Sequence, residues 1–308
     1  MDVSVIIVNY NTLQMTQECI DSIFEKTKGV DFEVILVDNA STDGSREHFE
    51  NEKRIKYIYN ELNLGFGRAN NLGFEYATGN YIFFLNSDTL LLNNAIYEFF
   101  IYMESHSSDI GCVGCELQDQ SGKLSYSFST FPNLVFFIGM VLKVYHIKSS
   151  SFFPPNKFEG KHPIIVDYTS GADMFVRRYV LDTCGLFDKD FFMYFEEVEM
   201  QNRFKDKGYA SHIIDTPKII HLLGGSEKKR SKNRLPINKI ELESRYIYCR
   251  KIFSRSKYLL MSFFNLFLIP RILFSGSVWK DKKLMIYIIL WNFFPNNNVS
   301  IFYNQSPR

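Results

Sequence analysis

The sequence lacks an excess of either charge. Its 35 lysines and arginines nearly balance 34 aspartates and glutamates, and the net charge is +1. A globally basic surface is the usual electrostatic signature of a nucleic-acid-binding protein, so this balance argues against that class. The basic residues are nevertheless unevenly placed and concentrate after Glu227.

Cysteine is scarce, and the cysteines show no spacing pattern typical of a set of disulfides. The odd count of five cysteines predicts a protein of a reducing compartment. The first apolar run has no basic segment before it, so we predict no secretory signal peptide. Cys112 and Cys115 form a lone C-x-x-C without the second ligand pair that a zinc site needs. We therefore predict that both are buried thiols.

Two nucleotide-binding signatures are also missing. Gly65-Phe66-Gly67 does not follow the first strand and does not complete G-x-G-x-x-G, and no G-x-x-x-x-G-K-[ST] occurs. These absences disfavour a dinucleotide-binding fold and a P-loop enzyme. No apolar run reaches the roughly 20 residues that span a bilayer.

What the sequence does contain is an alternation of short apolar runs with amphipathic stretches. The β-branched and aromatic runs predict buried strands at residues 3–8, 33–37, 55–59 and 81–85. The stretches between them carry apolar residues at helical spacing. The alternation predicts an α/β protein with right-handed crossovers and a doubly wound, mostly parallel sheet.

Three of these strands end in polar residues: Asn9, Asp38 and Asn86-Ser87-Asp88. Taken alone, Asn86-Ser87-Asp88 is more typical of a turn that caps the next helix. The carboxyl ends of parallel strands meet at one edge, however, where open α/β sheets bind ligands. We therefore predict a nucleotide crevice there, with Asp38 accepting from a base or ribose and Asp88 available to a hard cation.

A second dense stretch runs through Glu196, Glu197 and Glu199 to Arg203, after an aromatic run. In the simpler interpretation the acids favour a helix dipole, and Glu199 pairs with Arg203 at i,i+4. In the alternative, a carboxylate at the edge of an apolar wall acts as a general base, because desolvation raises its pKa. His221, after a later strand, is ordinarily a structural residue, but near the crevice it could bind a metal.

Taken together, these segments resemble the inverting family-two glycosyltransferases with the GT-A fold, particularly the rhamnosyltransferase-like branch. The resemblance covers about residues 3–250 and rests on residues 5–11 (V-I-I-V-N-Y-N), 37–45 (V-D-N-A-S-T-D-G-S), 63–73 (N-L-G-F-G-R-A-N-N-L-G), 84–89 (F-L-N-S-D-T), 170–172, 185–188, 191–203 and His221. It implies a Rossmann-like, mostly parallel sheet flanked by helices. The implied domains are residues 1–250, with a nucleotide-binding half (1–110) and an acceptor-binding half (111–250), and a helical extension (251–308).

The resemblance also implies roles for individual residues. Glu197 stands where the family's catalytic base is usually Asp, and Asn86 replaces the first carboxylate of the D-x-D motif. A metal ion, Mg²⁺ or Mn²⁺, would be bound by Asp88 and His221. Nucleotide contacts are implied for Val8, Tyr10, Asp38, Gly65, Arg68, Ser87 and Asp88, and acceptor contacts for Gly171, Ala172 and Glu196.

The implied activity is transfer of a sugar, with inversion, from a UDP- or dTDP-linked donor to a saccharide or lipid-linked saccharide. The product would be a cell-surface polysaccharide or glycolipid. A processive synthase is disfavoured, because Gln201-Asn202-Arg203-Phe204 does not supply Q-x-x-R-W. A sugar nucleotidyltransferase is disfavoured by the lack of a Gly-rich basic loop after the first strand. A non-catalytic nucleotide-sugar-binding or scaffold protein stays open, because Glu replaces Asp at position 197.

A basic segment and two apolar segments remain, and the apolar ones bear on where the protein lies in the cell. Residues 228–234 are strongly basic and predict either a solvated loop or a flap over phosphates. Residues 258–269 and 284–294 are apolar, aromatic and flanked by lysines and arginines, which is typical of helices lying in a membrane interface. The alternative is that they are core helices or contact another subunit. We expect a cytoplasmic protein at the inner face of the cell membrane, and assembly into a homo-oligomer stays open.

Overall fold

The structure, a computed structural model, describes residues 1–144, 162–222 and 238–293. It contains two compact units. The sheet unit comprises Met1–Thr130, Phe158–Asp188 and Glu197–Lys228, and the helical unit comprises Phe131–Lys157, Lys189–Glu196 and Lys229–Arg308. The two units are groups of residues that pack compactly with one another, and they do not test a domain boundary. The predicted boundary at residue 250 therefore stays a prediction. The basic segment 228–234 lies outside the described residues.

The sheet unit is built on eight strands in the order β3-β2-β1-β4-β10-β6-β11-β8. All run parallel except β8 and β10, which pair antiparallel with their neighbours. The predicted α/β class and mostly parallel sheet are thereby confirmed. The strands found in residues 1–144, 162–222 and 238–293 are β1 Val3–Asn9, β2 Phe32–Asn39, β3 Lys56–Asn60, β4 Tyr81–Asn86, β5 Thr89–Leu91, β6 Ile110–Cys115, β7 Phe128–Ser129, β8 Ile164–Val166, β9 Tyr168–Thr169, β10 Asp173–Arg177, β11 Ala210–Ile214 and β12 Ile219–His221.

Eleven helices accompany the strands within the described residues. They are α1 Leu13–Lys26, α2 Ser45–Phe49, α3 Phe66–Glu75, α4 Ala95–Ser105, α5 Leu134–Val144, α6 Arg178–Cys184, α7 Glu196–Asp206, α8 Lys239–Ile252, α9 Arg255–Leu266, α10 Leu268–Leu273 and α11 Trp279–Trp291. The helices α5 and α8 to α11 lie in the helical unit.

Apolar side chains lie on both faces of the central sheet. Along β1, Val3, Val5 and Ile7 join one cluster with residues of α1 and α4, whereas Ile6 joins another with residues of α3, α6 and α7. A strand covered on both faces needs apolar residues at successive positions, which is why β1 reads as an unbroken run. Cys112 and Cys115 are fully buried in this sheet, as predicted.

The pairing register brings the polar strand ends together. Asn9 lies opposite Asp38 on β2, and Val8 lies opposite Asn86 on β4. The antiparallel β10 approaches this edge from the other direction, and the backbone N–H of Asn86 donates to the carbonyl of Ala172 at 3.0 Å. The predicted polar edge is therefore confirmed, and β10 adds the Gly171-Ala172 segment to it.

His221 reaches this edge although its strand, β12, does not join the central sheet. β12 pairs instead with β5, with His221 opposite Thr89. Because Thr89 follows Asp88 directly, this small sheet still brings His221 next to Asp88.

The helical unit contains a longer apolar helical stretch than the sequence predicts. We expected two segments, each too short to span a bilayer. In the described residues, α9 and α10 form the stretch Arg255–Leu273, which is 19 residues long and apolar enough to cross a membrane by length and composition. A third of its apolar window is buried within the protein.

Candidate active site

Asn9 joins the loops at the polar edge. Its buried Oδ1 accepts from the backbone N–H of Thr12 at 3.2 Å and from the Thr12 hydroxyl at 2.8 Å, and its Nδ2 donates to Ser41 Oγ at 3.2 Å. The Thr12 hydroxyl also shares a hydrogen bond of 3.1 Å with Ser87 Oγ. The ends of β1, β2 and β4 are thus held by one buried network. Val8 and Tyr10 flank Asn9, and Tyr10 is exposed.

Asp38 is fully buried at the end of β2. One carboxylate oxygen accepts from the backbone N–H of Ser41 at 2.8 Å, and the other accepts from the Tyr57 hydroxyl at 2.9 Å. Burial and this carboxylate together raise the pKa of Tyr57. Each carboxylate oxygen can accept more than one hydrogen bond, so a nucleotide contact is compatible with this geometry. Recognition of the base by Asp38 stays a prediction.

Gly65 precedes α3 and shapes the loop after β3. Its φ of +79° lies in the left-handed region that favours glycine. Its N–H donates to Asn63 Oδ1 at 2.9 Å, and its carbonyl accepts from Asn39 Nδ2 at 3.2 Å. The loop therefore leads into the N-terminal end of α3, whose first turn carries the partly exposed Arg68. The N-terminal end of a helix is a usual binding site for phosphate.

Asp88 and His221 form the closest acid–imidazole contact at this edge. His221 Nε2 lies 3.2 Å from Asp88 Oδ1 and 3.4 Å from Asn86 Nδ2. Among the described residues, no three or more His, Cys, Asp or Glu side chains cluster as metal ligands. One carboxylate oxygen and one imidazole nitrogen do suit a divalent cation that takes its other ligands from phosphates and water. The residues present fit such an ion.

Glu197 lies beside the Gly171 segment. A Cβ atom built on Gly171 would lie 3.6 Å from Glu197 Cβ and Cγ and 3.7 Å from the Phe66 ring. The structure therefore brings these two predicted residues together within the sheet unit. Ala172 is buried next to them. Glu196 is also buried and begins α7, and its predicted acceptor contact stays a prediction.

Two tyrosines that the sequence analysis missed lie near Glu197. The hydroxyls of Tyr126 and Tyr168 are 2.7 Å apart. Burial, with a contribution from the Glu197 charge, raises the pKa of Tyr168 to about 12. Tyr126 is 46% exposed, and its hydroxyl forms the hydrogen bond with Tyr168. Tyr126 lies in an irregular segment with no periodic pattern. Tyr168 stands next to the predicted Ser170–Ala172 motif, which was the one available signal.

The pKa of the Glu197 carboxyl is raised, chiefly because burial disfavours the charged form. The backbone N–H groups of Glu197 and Val198, at the start of α7, oppose this shift by binding the carboxylate. A carboxylate with a raised pKa is a stronger proton acceptor. This environment matches the general base that the sequence predicts.

We expect Glu197 to lower stability at neutral pH. Its folded-state pKa is raised, so its contribution to stability is complete below the pKa of an unfolded glutamate and is lost as pH rises through the folded-state pKa. The Glu197→Gln variant should therefore match the wild-type urea midpoint near pH 4.5 and exceed it increasingly toward pH 8. Glu50→Gln, at an exposed position, controls for the loss of one charge. A constant difference across this range would contradict the prediction.

Gln201 anchors the helix that carries Glu197. Its Oε1 accepts from the backbone N–H of Thr169 at 2.8 Å, and its Nε2 donates to the Thr169 carbonyl at 2.9 Å and to the Glu197 carbonyl at 3.2 Å. Ser211 Oγ donates to the same Oε1 at 3.0 Å. The buried amide thus joins α7 to β9 and β11.

Replacing Gln201 by leucine should lower both stability and transfer. The change leaves the backbone groups of Thr169 without their partner, at a cost of about 1–3 kcal/mol. Urea denaturation measures this loss, and kcat should fall because α7 no longer holds Glu197 firmly. Gln17→Leu, at a partly exposed position on α1, serves as the control. An unchanged midpoint would show that the buried amide does not anchor α7.

Arg203 fastens the Gly185-Leu186 segment to α7. Its Nε lies 3.0 Å from Glu199 Oε1, so the predicted i,i+4 pair is confirmed. Its terminal nitrogens donate to the carbonyls of Gly185 at 3.0 Å and Leu186 at 2.7 Å, and also to that of Cys184. The simpler interpretation of Glu199 is therefore correct, since it orients the arginine that holds this turn.

The mostly parallel sheet and the polar edge at its strand ends define an α/β protein of the GT-A type. Residues 4–177 match the sequence model of Glycosyl transferase family 2. The chain belongs to this family.

Curated relatives are named as glycosyltransferases or as a hexosyltransferase. The chain is 24% identical over 296 residues to the low-salt glycan biosynthesis hexosyltransferase Agl10 of Haloferax volcanii, a match that covers 94% of this chain and 82% of the relative. It is 32% identical over 143 residues, 43% of the chain, to an uncharacterized glycosyltransferase of Rickettsia bellii, where the match spans only 20% of the relative. With the glycosyltransferase GlyG of Streptococcus pneumoniae, 30% identity covers 42% of the chain and 44% of the relative.

Solved structures share the fold at low identity. TarS 1–349 of S. aureus in complex with UDP has a TM-score of 0.52 and 17% identity, covering 99% of this chain and 75% of that one. GalNAc-T7 with UDP, GalNAc and Mn²⁺ has a TM-score of 0.59 and 14% identity, and the match covers 95% of this chain and 56% of that one. The mannosyltransferase PcManGT from Pyrobaculum calidifontis, with GDP-Man and Mn²⁺, has a TM-score of 0.51 and 16% identity, and the match covers 94% of this chain and 71% of that one.

Proposed function

We propose that the protein transfers a sugar, with inversion, from a nucleotide-sugar donor to a hydroxyl of a saccharide or lipid-linked saccharide. The observation that carries the proposal is the arrangement within the sheet unit. The Asp88–His221 pair, 3.2 Å apart, lies at the strand-end edge, and a carboxyl with a raised pKa lies beside Gly171 on the segment leading into β10. A phosphate-binding edge and a general base are the two parts that single-displacement transfer requires.

The reaction proceeds in one displacement. Glu197 accepts the proton of the acceptor hydroxyl, and the oxygen forms a bond to the anomeric carbon. The bond between that carbon and the diphosphate oxygen breaks, and its electron pair leaves with the diphosphate. Because the nucleophile attacks opposite the leaving group, the anomeric configuration inverts.

Asp88 and His221 are the residues that would hold a divalent cation, Mg²⁺ or Mn²⁺. When bound, such an ion neutralises charge on the departing diphosphate. Arg68 and the N-terminal end of α3 offer further positive potential to the phosphates. The Mn²⁺ named in the PcManGT and GalNAc-T7 structures supports this assignment.

The donor and the product are proposed from resemblance. A UDP- or dTDP-linked hexose or deoxyhexose, including rhamnose, agrees with the branch that the sequence resembles. UDP in the TarS complex and the hexosyltransferase activity named for the Haloferax relative support this class. The product is a cell-surface polysaccharide or glycolipid.

A donor panel tests the proposal. The protein is incubated with UDP-, dTDP- and GDP-sugars, with Mn²⁺ or Mg²⁺, and with and without saccharide acceptors, and release of nucleoside diphosphate is measured. We expect turnover with one pyrimidine donor that rises with acceptor and stops with EDTA. Donor binding without turnover for any donor would instead support the non-catalytic scaffold.

We further propose that the helical unit lies on the cytoplasmic face of the cell membrane. It exposes large apolar side chains on and between α9 and α11, among them Phe263 at 50%, Phe274 at 88% and Trp279 at 55% of their surface. Exposed basic residues stand among them, namely Arg255, Lys257, Arg271, Lys280 and Lys283. Aromatic and basic side chains together suit an anionic lipid surface.

Vesicle flotation tests this location. The protein should float with phosphatidylcholine–phosphatidylglycerol vesicles and less with phosphatidylcholine alone. The triple variant Phe263→Ser, Phe274→Ser, Trp279→Ser should lose flotation. Leu124→Ser with Ile165→Ser, exposed at 58% and 70% in the sheet unit, is the matched control. A homodimer by light scattering, disrupted by the triple variant without any vesicle binding, would show that this face contacts a second copy instead.

A further inference from the structure

The aromatic run before Glu196 ends in a strained turn that the reaction described above does not explain. Tyr194 and Phe195 have φ values of +73° and +70°, in the left-handed region that residues other than glycine seldom adopt. Left-handed residues normally occur singly, so two bulky aromatic residues in succession are strongly disfavoured. Such a conformation persists only where the surrounding contacts impose it, and it is typical of functional sites.

Contacts within the helical unit hold this turn. Directly before it, Ser244 Oγ of α8 donates to the carbonyl of Met193 at 2.7 Å. Within it, the ring of Phe195 packs against Tyr248 of α8 and Phe137 of α5, with centroid distances of 5.4 and 5.9 Å. The three residues of α5 and α8 are buried, so they offer fixed anchor points to the turn.

The proposed base follows the turn directly. Glu196 is the first residue of α7, and Glu197 is the second. In the first turn of a helix the backbone N–H groups have no partner inside the helix. Those of Glu197 and Val198 bind the Glu197 carboxylate instead. This arrangement exists only while the first turn of α7 is formed, so the contacts that fix the start of the helix also fix the base.

We propose that Phe195 is a positioning residue for Glu197, and that it acts by holding the left-handed turn that fixes the start of α7. Only Tyr194 and Phe195 join the bound carbonyl of Met193 to the first helical residue. With Phe195 in an extended conformation, the chain would need a different path between these points, and the first turn of α7 would unwind. The inference rests on the proposed function, because it takes Glu197 as the base.

Two substitutions of Phe195 separate the turn from the packing of the ring. Glycine adopts the left-handed conformation without steric cost but contributes no side chain. Valine keeps part of the apolar volume, but its branched Cβ makes this conformation a severe outlier. If Phe195 were only a packing residue, valine would be the milder change. The inference predicts the reverse order: kcat about 100-fold below wild type for Phe195→Val, and much closer to wild type for Phe195→Gly.

Two further readouts distinguish positioning from a general loss of structure. Donor affinity should be unchanged in both variants, because the turn acts on the base alone. The acidic limb of kcat against pH should move to higher pH in Phe195→Val and stay in place in Phe195→Gly, since a carboxylate that loses its N–H donors has a higher pKa. Neither variant changes a charge, and the neighbouring charged or titratable groups are the same in both, namely Glu196, Glu199, Arg203, Tyr126 and Tyr168.

A second variant tests the other anchor of the turn and replaces Phe195→Val if that protein does not fold. Ser244→Ala removes the hydrogen bond to the Met193 carbonyl and leaves the residues of the turn unaltered. We expect kcat to fall while donor affinity stays unchanged. Ser262→Ala, at a buried position on α9, is the matched control and should keep the wild-type kcat.

The outcomes separate this inference from the proposed function. In the Glu197→Gln background, Phe195→Val should have no further effect on kcat, because the base is already lost. An equal loss from Phe195→Val in both backgrounds, or a kcat of Phe195→Val at or above that of Phe195→Gly, would overturn the positioning role and leave Glu197 as the base. Equal kcat of Ser244→Ala and Ser262→Ala would overturn it as well. Normal kcat of Glu197→Gln alone would show instead that the proposed base is wrong.

Discussion

The Glu197→Gln variant is expected to bind donor as well as the wild type and to transfer sugar about 100- to 10,000-fold more slowly. Glutamine has nearly the shape of glutamate but cannot accept the acceptor proton. The effect should appear in kcat with little change in donor affinity, because Glu197 acts on the acceptor hydroxyl. Nucleoside diphosphate release and titration with the active donor measure the two quantities.

The Glu197→Asp variant is the matched control. It keeps the carboxylate and restores the residue usual in the family, but it shortens the side chain by one methylene. It should retain far more activity than glutamine, while remaining below wild type because α7 and its Gln201 contacts hold the backbone for the longer residue. Normal turnover by Glu197→Gln would mean that another group is the base.

The Asp88→Asn variant is expected to lose transfer by about 100-fold or more, equivalent to several kcal/mol of transition-state stabilisation. The substitution removes the single carboxylate of the Asn86-Ser87-Asp88 segment, next to His221 Nε2. Activation by Mn²⁺ should also shift to higher concentrations. Initial rates across a Mn²⁺ titration, with EDTA-treated protein as the zero point, measure both effects.

Asn86→Asp provides the complementary variant. It restores the two-carboxylate form of the motif 3.4 Å from His221, so Mn²⁺ affinity should rise while transfer persists. If Asp88→Asn kept full metal-dependent transfer, the cation would have to be held elsewhere. If its transfer became independent of metal, the positive charge at this edge would come from protein groups such as Arg68.

Most of the sheet could be predicted because its strands carry local signals. The apolar, β-branched run of β1 is buried on both faces, and the sequence pattern follows from that burial. β8 and β10 were harder to place, because their antiparallel direction depends on pairing with distant strands. The pairing of β12 with β5 was missed for the same reason, since three residues contain no information about their partner.

The candidate site divides in a similar way. Asp38, Asp88 and Glu197 could be found because each follows a recognisable run. Tyr126 and Gln201 could not, because they act through contacts with residues 42 and 32 positions away, respectively, and no periodic pattern marks them. Their roles became visible through hydrogen bonds to these distant residues.

At the Asn86-Ser87-Asp88 segment, the sequence alone determined that a carboxylate follows a buried parallel strand, because strand burial and turn chemistry are local properties. It also indicated the family, because several such segments occur in the family's order. Only the tertiary structure decided that Asp88 has His221 as its neighbour. A hydrogen bond or a cation site depends on distances of about 3 Å, and chain folding alone sets such distances between residues this far apart in sequence.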